Sequence, residues 1–184
     1  MLGPAGLLGS TGADPHQRTA DALGIGRAEG KRVNFAILSG AGAPLISEIL
    51  GCDKSEAKAA LDRWYSAYPE VGRLKHRIGE RLDACGYVTT VLGRQQHIER
   101  DRRYRALNFL IQGSAADLFK LAAIELHEAG LEAVLYVHDE VVLEVDADQA
   151  EEAGERLAAI LSSGAGKVAG LSASAAAGRR WSER

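Results

Sequence analysis

The chain has 184 residues, 46% hydrophobic and 26% charged, enough for one globular domain or two subdomains with a real core. Its net charge of −3 excludes a globally basic nucleic-acid binder, so any such role must rest on local patches. Only Cys52 and Cys85 are present, without metal-ligand spacing, which argues against a disulfide framework or a zinc site and for a reducing, cytoplasmic setting.

Residues 1–13, MLGPAGLLGSTGA, are interrupted by Gly and Pro and fall short of the ~20 residues of a membrane helix, so they read as neither signal nor span. Asp14-Pro15 then pairs an N-cap with a proline at the first helical position, and Gly24 supplies a stop. A short helix through Leu23 is predicted. In the next stretch, RAEGKRVNFAIL, Arg27, Lys31, Phe35 and Ser39 recur every four residues. Each step turns about 40° around a helix axis, so the first three share a face. That stripe is either a solvated basic face with Phe35 tucked inward or a triphosphate site. The second needs point charges for the phosphates one turn from a flat apolar surface.

Pro44 and Gly51 bracket another short helix, and Asp53-x-x-Glu56 forms a capping box ahead of a helix to about Ala67. Pro69 breaks it, and a basic helix carrying Arg73, Lys75, Arg77 and Arg81 runs toward Gly86. Trp64, Tyr65 and Tyr68 read as packing anchors rather than base-stacking platforms.

Residues 87–91 predict a short strand that turns through Gly93 and returns at His97-Ile98. A glycine beside Arg94 lets the backbone approach a phosphate that the side chain can reach. His97 reads as structural. A second basic cluster, Arg94, Arg100, Arg102, Arg103 and Arg105, leads into a long helix over about 102–129. There Asn108 and Gln112 lie one turn apart, either as satisfied core amides or as readers of groove-edge acceptors.

Residues 131–145, LEAVLYVHDEVVLEV, read as two β-branched strands about a polar His138-Asp139-Glu140 tip. Two adjacent carboxylates on a bend suit a hard cation such as Mg²⁺, and equally a solvated acidic turn. A surface helix over 148–161 follows, and the tail over 171–184 holds at most one weak strand.

Taken in order, these pieces resemble DNA polymerase family A, the class of bacterial DNA polymerase I and its phage relatives, over residues 14–181. Arg27-x-x-x-Lys31-x-x-x-Phe35 is similar to the family's nucleotide-binding fingers helix. Arg105-Ala106-Leu107-Asn108 through Gln112-Gly113-Ser114-Ala115-Ala116-Asp117 resembles its DNA-contacting helix, and Val137-His138-Asp139-Glu140 its palm hairpin. The resemblance implies an α+β fold: a mostly helical fingers region over 14–86, a palm-like region with a small antiparallel sheet over 87–184, and 1–13 unassigned.

It also implies template-directed DNA synthesis by two-metal nucleotidyl transfer. Arg27 and Lys31 would hold the triphosphate, Lys31 also donating a proton to the leaving pyrophosphate. Phe35 and Ser39 would meet the nucleotide. Arg94, Arg105, Asn108, Gln112 and His138 would contact primer-template DNA. Asp139 would bind Mg²⁺ with Glu140 in support.

Three positions depart from the family's pattern. Ser39 stands where Tyr is usual, Ala36 where Gly is usual, and Tyr104 where many bacterial members carry Arg. The family's first palm motif, an Asp-Tyr-Ser-x-x-Glu-like strand, would precede Asp14, and residues 1–13 do not resemble it. Two functions therefore compete: the C-terminal portion of a polymerase, set apart by gene decay, a misplaced start or a split gene whose other half is a second polypeptide carrying the missing palm strand and thumb, and a DNA-binding remnant that has lost catalysis. A nuclease built on the Asp139-Glu140 hairpin leaves the Lys31 helix unexplained.

Overall fold

Helix signals in the sequence become the first half of the molecule. The computed structural model describes residues 14–163 and 170–181, so the unassigned stretch 1–13 lies outside the described residues. Helix α1, Pro15–Leu23, starts at Asp14, whose Oδ1 accepts from the His16 N–H at 2.8 Å, and stops at Gly24. Helix α2, Arg27–Leu38, and α3, Ala43–Leu50, follow. The capping box at Asp53 and Glu56 opens α4, Lys54–Ala67, with the Asp53 carboxylate accepting from Ser55 and Glu56 N–H groups at 2.7 and 2.8 Å. Pro69 sits at the start of α5, Pro69–Cys85, which Gly86 ends in the left-handed region.

These helices enclose one core, in which Val33, Ile46, Trp64, Tyr68 and Val71 are wholly buried. Burying a side chain of this kind contributes roughly 1.5–3 kcal/mol. The packing role expected for Trp64 and Tyr68 is therefore what they have, and Tyr65 packs against them.

A polar network runs through the same core. Asn34 Oδ1 accepts from Thr19 Oγ1 at 2.6 Å and from Trp64 Nε1 at 2.7 Å, and Tyr68 O–H donates to the Pro15 carbonyl at 2.6 Å. It ties α1, α2 and α4 together, and among the described residues no buried side-chain polar atom lacks a partner.

Strands β1, Tyr87–Thr89, and β2, Gln95–His97, form an antiparallel hairpin with Val88 opposite Gln96. The hairpin buries Val88, and Ile98 just after it, in the core of the helices before it. A 3₁₀ turn, Arg100–Arg105, replaces the start of the long helix foreseen from Arg102, and α6 proper spans Ala106–Glu128.

The chain divides into two compact units, Met1–Gly113 and Ser114–Arg184. In the second, β3, Ala133–Val137, pairs antiparallel with β4, Glu140–Leu143, and α7 spans Ala150–Ser163. Leu126, Leu131 and Leu157 form its core, with Val141 and Leu143 packed against them. No strand forms among the described residues of the tail. Helices with two small antiparallel sheets make the fold α+β, as expected.

Candidate functional site

Arg27, Lys31, Phe35 and Ser39 all lie exposed along α2 and its C-cap, while the opposite face carries buried Gly30, Val33, Asn34 and Ile37. The apolar spacing thus fixes which face turns outward. Phe35 is 58% exposed, so the alternative in which it tucks into the core does not hold. Lys31 Nζ lies 5.9 Å from the Phe35 ring centroid. Arg27 is anchored at its Nε, which donates to Asp14 Oδ2 at 2.5 Å. That hydrogen bond, followed by the His16 N–H, holds the Asp14 carboxyl below its ordinary pKa. With Nε occupied, the two terminal nitrogens of the Arg27 fork remain to meet an oxyanion.

The structure adds His16, which motif spacing did not reveal. Its ring lies 5.9 Å from Phe35, and its Nδ1 is 3.0 Å from Asn34 Nδ2. Because Asn34 Oδ1 accepts two hydrogen bonds, its amide nitrogen is the donor toward His16. The neutral imidazole therefore carries its proton on Nε2. The only local signal was a histidine in the first turn of a capped helix. Its partners lie 18 and 19 residues away.

Arg94 and Gln112 come together around Gly113. Arg94 Nη2 donates to the Gly113 carbonyl at 3.1 Å, and a Cβ on Gly113 would stand 3.0 Å from Thr90 Cγ2, so glycine admits the hairpin to α6. Gln112 is exposed one turn beyond half-buried Asn108. Arg105 is exposed, with its Nε donating to Tyr104 O–H at 3.0 Å. His97 stacks edge-on against Tyr87 at 5.5 Å, in keeping with the structural role read for it.

In the second unit, the β3–β4 hairpin turns through His138 and Asp139, both exposed, and Glu140 opens β4 opposite Val137. His138 has φ 54°, an uncommon conformation for a residue with a Cβ, of the kind that collects at functional turns. Asp139 is thereby presented at the tip, and Glu140 sits half-buried at the strand's start. Among the described residues no group of three His, Cys, Asp or Glu side chains gathers to hold a metal. Mg²⁺ commonly takes only one or two carboxylates and completes its shell with water and phosphate, so Asp139 and Glu140 fit a share of such a site. No described helix is long and apolar enough to cross a membrane.

Comparison with known proteins agrees along the chain. The DNA polymerase family A model matches residues 9–183. The DNA polymerase of Mycobacterium phage L5 is 36% identical over 159 residues, which cover 85% of this chain and 27% of that protein. The thermostable DNA polymerase I of Thermus filiformis is 35% identical over 171 residues, covering 85% of this chain and 20% of that one. Among solved structures, the POL domain of Pol1 from M. smegmatis, in complex with DNA primer-template and dNTP, superposes with a TM-score of 0.74 at 27% identity. It covers 86% of this chain and 33% of that one. The chain thus spans about a quarter of the length of these curated relatives, and over nearly all of its own length it belongs to DNA polymerase family A.

Proposed function

We propose that this chain serves template-directed DNA synthesis, as the portion of a DNA-directed DNA polymerase that binds the incoming deoxynucleoside triphosphate and primer-template DNA. The outward stripe of Arg27, Lys31 and Phe35 carries the reading, because it sets two cations beside an exposed aromatic ring in a chain matched to the family throughout. Arg27 and Lys31 take the phosphates, and Phe35 packs against sugar and base with Ser39 at the far end. His16 Nε2–H is a further donor beside Phe35. Arg94, Arg105, Asn108 and Gln112 hold the template-primer, and His138 lies near the primer terminus.

In the reaction the primer 3′-oxygen forms a bond to the α-phosphorus as the bond to pyrophosphate breaks. Lys31 supplies a proton to the departing pyrophosphate oxygen. Mg²⁺ held by Asp139, with Glu140 in support, would activate the 3′-hydroxyl and neutralise phosphate charge. The complete enzyme also needs a palm strand and a thumb. The rival reading, a DNA-binding remnant without catalysis, keeps the same basic residues and differs only in turnover.

Lys31→Ala tests the assignment. With the complete enzyme, nucleotide incorporation should be abolished while duplex affinity stays nearly unchanged, measured by primer extension and by fluorescence anisotropy. A variant that lost DNA affinity but kept its turnover would remove Lys31 from the triphosphate site.

A further inference from the structure

Helices α1 and α2 of the first unit meet at a point that only glycine admits. A Cβ on Gly30, in the middle of α2, would stand 2.6 Å from the His16 carbonyl oxygen and 3.1 Å from the Ala20 nitrogen. Without it the backbone of α1 lies directly against α2, and the His16 ring comes to rest beside Phe35. One turn further along α2, Asn34 is 1% exposed and meets the same segment of α1.

The two ends of the Asn34 amide cannot be exchanged. Trp64 Nε1–H is a donor only and lies 2.7 Å from Oδ1, so that atom is the oxygen. The Pro15 carbonyl is an acceptor only and lies 3.1 Å from Nδ2, so that atom is the nitrogen. The same nitrogen faces His16 Nδ1 at 3.0 Å, which leaves Nδ1 no role but acceptor. A core side chain thus decides where the neutral imidazole keeps its proton. Nε2 carries it, and among the described residues no protein group accepts from Nε2. The other tautomer would turn that edge of the ring from donor to acceptor, and an acceptor repels a phosphate oxygen.

We propose that Asn34 is a positioning residue for the incoming triphosphate: from within the core it holds His16 as the Nε2–H tautomer and fixes the ring against Phe35, so that α1 adds one aimed, uncharged donor to the cations of α2. The inference rests on the DNA-synthesis reading and assigns the aim of a phosphate donor to a buried amide that touches no phosphate. Arg27 and Lys31 attract an oxyanion over a wide range of directions. A neutral N–H binds well only near its own axis, so orientation decides what His16 contributes.

The test uses the 184-residue chain labelled with ¹⁵N. Long-range ¹H–¹⁵N correlation at about pH 8, where an ordinary imidazole is neutral, shows which ring nitrogen holds the proton. His16→Gln identifies the signal among the 5 histidines. The wild-type ring should be protonated at Nε2 and bare at Nδ1. Asn34→Asp keeps an oxygen for Thr19 and Trp64 but turns an acceptor toward His16, so the proton should appear on Nδ1. Titration with dATP and Mg²⁺ then gives affinity. Asn34→Ala should lose about 2- to 10-fold, the net strength of one hydrogen bond, and His16→Ala at least as much. In the His16→Ala background Asn34→Ala should cost nothing more, because its effect passes through the imidazole. A residue that merely held the core together would weaken binding in both backgrounds. The Trp64 indole resonance and circular dichroism confirm that each variant is folded.

A wild-type ring protonated at Nδ1, an Asn34→Ala chain that binds dATP as wild type does, or an equal loss with and without His16 overturns the assignment while leaving the DNA-synthesis reading standing. If the Asn34 variants do not fold, the wild-type tautomer decides by itself. A wild-type chain that binds no dATP overturns both.

Discussion

Asp14 caps α1 with one carboxylate oxygen and fixes Arg27 with the other, so one residue sets both a helix start and the aim of a proposed phosphate ligand. Its pKa is depressed by Arg27 first and the His16 N–H next, and that of Asp83 is depressed by Arg103. A carboxyl whose folded pKa lies below its unfolded value contributes stability above the unfolded value, near 3.9, and loses it as pH falls through the folded pKa. Urea denaturation should therefore show no pH dependence from either group between pH 6 and 8, where the contribution is fully present, and a loss below about pH 4. Asp14→Asn, which keeps the cap, should flatten part of that acid limb. An unchanged limb would mean the Arg27 pair contributes nothing. Both aspartates are exposed enough that solvent keeps the effect small.

Ser39 makes a second prediction at this scale. A hydroxymethyl at the C-cap of α2 leaves room that an aromatic ring would fill, and a loose wall rejects wrong shapes poorly. Ser39→Tyr should lower misincorporation by the complete enzyme. Equal error frequencies would take Ser39 out of the nucleotide site.

Among the elements, the join of α1, α2 and α4 depends on Asn34. Replacing it by alanine leaves Trp64 Nε1–H without its acceptor in a sealed core, while the Thr19 hydroxyl keeps the Tyr68 oxygen at 2.9 Å. A stranded group costs about 1–3 kcal/mol. Asn34→Ala should lower the urea midpoint with little change in slope, and Trp64→Ala, which empties a large buried volume, should cost about 3–5 kcal/mol. An Asn34→Ala variant as stable as wild type would show that water enters the core to replace the amide. The same lesion frees His16, since Asn34 holds its Nδ1, so weaker triphosphate binding should accompany the lost stability.

For the whole molecule, the expectation is that the 184-residue chain binds primer-template DNA weakly and does not extend it. Clustered arginines give affinity that falls steeply with salt through counterion release. Extension should fail because the chain spans only about a quarter of the length of its curated relatives and, on the proposed reading, offers Mg²⁺ Asp139 with Glu140 in support. One unit negative charge about 4 Å from a cation is worth roughly 4 kcal/mol per unit of cation charge at an effective dielectric near 20. Every ~1.4 kcal/mol is a factor of ten, so a metal site short of one carboxylate would lose occupancy or rate by orders of magnitude. Primer extension with Mg²⁺ or Mn²⁺ should succeed only when a polypeptide carrying a palm strand and thumb is added. Robust extension by the single chain, abolished by Asp139→Asn, would show that its ligands are complete.

Much of this was legible in the sequence because it depends on neighbours along the chain. The caps at Asp14 and Asp53, the breaks at Gly24 and Pro69, and the β3–β4 hairpin follow from local backbone chemistry, and four-residue spacing put Lys31 and Phe35 on one face. Whether that face was wet could not be read, since a stripe of two cations and a phenylalanine fits either side of a helix. Burial of Val33 and Ile37 decided it. The Asn34 network, the seat of His16 against Phe35, Arg94 on Gly113 and Tyr104 on Gly40 join residues from 15 to 64 positions apart. Such contacts form only once packing has brought distant segments together, and no periodicity in the chain encodes them.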